Sequence, residues 1–159
     1  MTKQSIIRNF PRCALLAALL SASALPALAA TRTVDEHQRA DPVGTVEIVN
    51  VSGAVEVSGW DQAVVAVSGT IDEKVERVEV TGSGARVTVR VLLPKGHFDH
   101  DEGDAHLKVQ VPRKSALEVS LVSADLRVGG VDGDQHLQTV SGDIAGEAAG
   151  NLQVNTVSG

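Results

Sequence analysis

The sequence predicts an all-β protein wound as a β-solenoid, like a single-stranded β-helix, with repeats of roughly 17–18 residues. Three observations carry the prediction. Beyond residue 44, apolar residues occupy every second position in short runs, the period of strands with one buried face. A Val-Ser-Gly tripeptide returns together with its flanking residues at a near-constant interval, and self-similarity at a fixed period indicates stacked units. No amphipathic helix of credible length follows the N-terminal segment, and the abundance of valine favours strands.

The first element in the chain is a segment for export. Lys3, Arg8 and Arg12 form a basic start with no acidic residue before Asp35, Ala14 to Leu25 form an apolar run, and Pro26 precedes Ala27-Leu28-Ala29. That order defines a cleavable secretory signal peptide over residues 1–29, cut after Ala29. The apolar run is too short to span a hydrocarbon core, which takes about 20 residues of helix. Cys13 lies before the run, where a lipoprotein cysteine would follow it. Neither a stable membrane insertion after cleavage nor a lipid anchor is expected, and the protein is expected in the periplasm or at the cell surface.

Cleavage leaves a chain without cysteine that is still one domain long, enough for a single core that no disulfide supports. All three charges in the signal peptide are basic, so 11 basic residues remain against 20 acidic ones, a net charge of −9. A nucleic acid partner is not expected on that balance, because phosphate binding requires clustered Lys and Arg. Trp60 and Phe98 are the two aromatics left. The core must therefore be built from Val, Leu, Ile and Ala in thin layers.

Residues 30–44, with Asp35, Glu36, Arg39 and Asp41, read as a flexible polar leader, and residues 45–159 as the solenoid. Strand signals follow at Val55/Val57, Val65/Val67, Val78/Val80, Val87/Val89/Val91, Leu107/Val109/Val111, Leu117/Val119/Leu121 and Leu126/Val128. Val140-Ser141-Gly142 returns as Val157-Ser158-Gly159, and Val122-Ser123-Ala124 precedes it at nearly the same interval. Leu137 corresponds to Val154, Thr139 to Thr156, and Asp125-Leu126 to Asp143-Ile144. Val122 and Val140 break the alternation, as expected where the chain buries two successive residues while turning a corner. Glycine and serine suit such a corner, since glycine reaches unusual backbone angles and both permit close approach.

The segment Val46 to Gly69 with its Val-Ser-Gly motifs and Gly59-Trp60-Asp61 step, the run Leu107 to Pro112, and the Val-Ser-Gly-Asp-Ile motif ending at Ile144 together resemble the bacterial putative-adhesin domain of unknown function. That family is related to the head domains of auto-transporter adhesins. The resemblance covers residues 44–159 and implies a right-handed β-solenoid in an exported protein, with no functional residues to carry over. Members of the family run on through further coils, so the resemblance also implies a chain that stops at Gly159 in mid-repeat. An open solenoid end of this kind would expose strand edges and favour self-association.

Three polar groups bear on chemistry. Residues 97–106 hold His97, Asp99, His100, Asp101, Asp104 and His106, a composition able to ligate zinc, copper or nickel. The spacing matches no His-Glu-x-x-His or calcium-loop pattern, and a solvated loop is the plainer reading. Gly129 to Asp134 partly matches a calcium-binding β-roll repeat, but Asp132 and His136 occupy positions that need glycine and an apolar residue. The Ser141 and Ser158 corners offer no base or orienting acid, and repetition makes them architectural.

The leading expectation is thus a noncatalytic interaction module without a cofactor, partnered by an unknown envelope protein or glycan. One alternative is a carbohydrate-active β-helical enzyme using Asp132 and Asp134. A metal-binding envelope protein using the 97–106 loop is the other.

Overall fold

The computed structural model describes residues 31–94 and 103–158. Eight strands make it up: β1 (Thr31–Trp60), β2 (Val64–Asp72), β3 (Arg77–Leu92), β4 (Ala105–Pro112), β5 (Ala116–Gly129), β6 (Gln135–Ser141), β7 (Ile144–Gly146) and β8 (Leu152–Ser158). There is no helix among the described residues, so the protein is all-β. The sheet is open, running β2-β4-β1-β5-β6-β8, with β3 attached to β1 and β7 to β5. Apart from the antiparallel ladders of β2 with β1 and β4, its inter-strand pairing is parallel.

Strands β1 and β5 form the middle of the molecule. Thr45 to Val49 pairs with Arg86 to Arg90 of β3, whereas Gly53 to Trp60 pairs with β4. Both halves of β1 pair on their other side with β5, from Thr45↔Ala116 to Ser58↔Gly129. β5 repeats the arrangement, pairing Leu117 to Ser123 with β6 and Leu126 to Val128 with β7. Each of these strands therefore has two wings that meet between Asn50 and Gly53 in β1 and between Leu121 and Ala124 in β5. Leu137 pairs with Val154 and Thr139 with Thr156 as β8 adds to β6.

Inside the two wings lies a continuous core of Val46, Ile48, Val55, Val57, Val87, Val89, Leu107, Val109, Leu117, Val119, Leu126 and Val128, with Val65, Val67 and Ile71 from β2. Burying each such side chain is worth about 1.5–3 kcal/mol. The alternation that predicts strands is the alternation that fills this core: in β4 every second residue from Ala105 to Val111 is buried and those between are exposed.

Residues 31–44 are not a flexible leader. Thr31 to Arg39 pairs residue by residue with Asp72 to Val64 of β2, and the Arg32 guanidinium donates to the carbonyls of Val75 and Glu76. The segment is held by backbone hydrogen bonds while most of its side chains stay in water. A strand exposed on most positions needs no apolar alternation, which is why its composition reads as a leader.

The corners also differ from expectation. Val122 and Val140 are not buried at the turn; they are 43% and 46% exposed. The alternation slips because two successive residues, Val122 and Ser123, point outward before Ala124 turns in again. Gly53 and Gly142 adopt φ of 107° and 134°, and a Cβ on either would lie 2.3 Å from a carbonyl oxygen, of Ala105 or Ala124 respectively. Only glycine meets both demands without strain. Buried Asn50 and Thr139 complete the corner: Asn50 Nδ2 donates to Ser52 O at 3.0 Å, and Thr139 Oγ1 donates to Ser141 O at 3.2 Å. Carbonyls that the bend withdraws from the ladder thereby keep a partner.

Chain neighbours are not always neighbours in the stack, because β3 and β4 lie on one side of β1 and β5 on the other. Val67-Ser68-Gly69 consequently sits in the antiparallel β2 and not at a corner.

Candidate functional site: a polar groove along the corners

The parallel register aligns the corner residues into two outward columns. Ser52 pairs with Ser123, Ser123 with Ser141, and Ser141 with Ser158. One step along each strand, Gly53 pairs with both Ala105 and Ala124; one step further, Ala54 pairs with His106 on one side and Asp125 on the other. Neighbouring strands are about 4.8 Å apart, so serine hydroxyls recur down the corner at that interval. Ser52, Asp104, His106, Ser123, Asp125 and Ser141 line an open groove of about 430 Å³ here.

Hydrogen bonds hold the groove in shape. Ser52 Oγ donates to Asp104 Oδ1 at 2.6 Å, and the Asp143 amide donates to Asp125 Oδ1 at 3.0 Å. Asp134 plays the same part at the other end of the strands, where Asn151 N and Nδ2 donate to its Oδ1 at 3.3 and 3.1 Å. In each of these carboxylates it is Oδ1 that ties one segment to the next.

Of the six residues expected to bind metal, His97, Asp99, His100 and Asp101 lie outside the described residues. Asp104 and His106 are both exposed at the start of β4 and both line the groove. Among the described residues no three His, Cys, Asp or Glu side chains converge on one point. The serine column, in contrast, is legible in the sequence only as architecture; that four serines share one outward line depends on the pairing, which spacing alone does not state.

On the outer faces beyond the groove, charges pair across strands. Arg86 reaches Glu118 at 3.0 Å and Glu47 at 3.4 Å, and Lys108 reaches Glu56 at 3.6 Å. The hydrogen bond to Glu118 raises the Arg86 pKa above its ordinary value, with the Glu118 charge adding to it.

No family model matches the chain, and no curated protein matches it. Among solved structures it is similar to a putative cell adhesion protein from Clostridium sporogenes, with 8% identity, a TM-score of 0.47, and coverage of 80% of this chain and 100% of that one. It is also similar to a putative lipid binding protein from Parabacteroides distasonis, with 14% identity, a TM-score of 0.44, and coverage of 78% of this chain and 59% of that one. A putative adhesin from Bacteroides fragilis matches with 8% identity, a TM-score of 0.37, and coverage of 77% and 73%.

Proposed function

We propose that the chain is an exported, noncatalytic interaction module of the putative-adhesin type, a right-handed β-solenoid that binds a glycan or envelope protein through its corner groove. The observation that carries this reading is the alignment of Ser52, Ser123 and Ser141 with Asp104, His106 and Asp125 from successive strand levels. A rigid ladder of hydroxyls at fixed spacing, flanked by carboxylates, offers many weak polar contacts, and rigidity lowers the ordering cost of binding. The near-equal register steps from Val119 to Leu137 between β5 and β6 and from Leu137 to Val154 between β6 and β8 support the solenoid. The basic-apolar-Ala27-Leu28-Ala29 order supports export.

A binding screen of the purified, processed protein against glycans and envelope proteins tests the reading, with and without chelator. The expected result is a saturable, chelator-insensitive partner whose affinity falls at least tenfold in Ser123→Arg, which fills the groove. A partner unaffected by that substitution would move the interaction elsewhere, and turnover of a bound glycan would replace the reading with an enzymatic one. Binding that chelator abolishes would instead favour the 97–106 loop as a metal site.

A further inference from the structure

A second site lies at the C-terminal end of β1, away from the corner, and it differs from the groove in charge and in chemistry. Trp60, the chain's single tryptophan, ends β1 opposite Pro112 of β4. Its indole Nε1 donates to Val64 O at 2.8 Å, which fixes the ring by its edge. Trp60, Pro42, Ala63 and Pro112 line a cavity of about 240 Å³ together with Arg113 and Lys114.

Arg113 is held in place, its Nε donating to Asp61 Oδ1 at 3.2 Å and its Nη1 to Gly130 O at 3.3 Å. Of five guanidinium N–H groups, three are left for a ligand. Lys114 is exposed and makes no ion pair among the described residues. Two cations against the one carboxylate of Asp61 leave this cavity positive, on a chain whose net charge is −6. The volume falls below the roughly 300–1,000 Å³ of pockets for drug-sized ligands, which suits a single ring.

We infer that this cavity binds a carboxylated sugar, the uronate unit of an acidic glycan. The apolar face of the pyranose would lie against the fixed indole and the prolines, and its carboxylate would accept from Arg113 and Lys114. A neutral sugar satisfies only the aromatic half of the site, and a simple anion only the cationic half. This inference stands independently of the corner groove.

The chain has one tryptophan and no tyrosine, so fluorescence excited at the red edge of the indole band reports Trp60 alone. Titration of the purified, processed protein with trigalacturonate should give a saturable change in emission. The neutral trigalactose should bind at least tenfold more weakly, and raising salt should weaken only the uronate, since exposed charges are screened. Lys114→Gln removes an exposed charge without touching the core; it should weaken trigalacturonate about tenfold and leave the melting temperature unchanged. Calorimetry with Trp60→Leu should show binding lost. No saturable change, equal affinity for the neutral trimer, or full affinity in Lys114→Gln would each overturn the inference.

Discussion

In β5, Leu117, Val119, Leu121, Leu126 and Val128 are all buried, while in β8 Leu152 and Val154 follow the same alternation and stay 50% and 43% exposed. The side chains are of one kind and the strands of one conformation. What separates them is neighbours: β5 is flanked by β1 on one side and by β6 and β7 on the other, whereas β8 pairs among the described residues with β6 alone. Where one core is shared between paired strands, burial belongs to the interface and not to the strand itself. The middle of the molecule should therefore carry its stability and the β8 end should open first.

Substitutions can break that comparison, and the largest effect belongs in the middle. Leu126→Ala should cost about 2–5 kcal/mol, against less than about 1 kcal/mol for Val154→Ala, both read from urea unfolding. Similar losses at the two sites would mean that β8 is covered as well as β5. Next comes the corner, where Gly53→Ala demands a strained φ and places a methyl against Ala105 O. A cost of about 1–3 kcal/mol is expected, and a neutral result would show that the corner relaxes freely.

Asp134→Ala removes the acceptor that Asn151 uses and should cost about 1 kcal/mol. Its sharper reading is by hydrogen exchange, in which β8 amides should lose protection while β1 and β5 keep theirs; uniform loss would refute the independence of the β8 end. The smallest effect is expected at Arg86→Gln. Its pairs with Glu47 and Glu118 are solvent-exposed, so the thermal unfolding midpoint should hardly move, and a clear drop would show that this outer-face cluster contributes to the fold.

Much of the site's material is readable before any pairing is known. The serines at 123, 141 and 158 stand out by their spacing, and Asp104 and His106 by their composition. Their meeting is not readable, because Ser52 belongs to β1, and the pairing of β1 with both β4 and β5 joins segments far apart in the chain. The Trp60 cavity is half visible: the aromatic is conspicuous beside Asp61, but Arg113 and Lys114 reach it only because Trp60 pairs with Pro112.

By itself the sequence determined that this is an all-β chain and which residues face inward in β4 and, away from the corners, in β5 and the second half of β1, because side-chain direction in a strand alternates with period two whatever the strand pairs with. Tertiary structure alone decided the rest: that Thr31 to Arg39 is a paired strand, that the corners expose Val122 and Val140, and that β1 lies between β4 and β5. Strand edges of similar pattern compete for one another, and the winner depends on the core that the whole set can close. A local period carries no record of that competition.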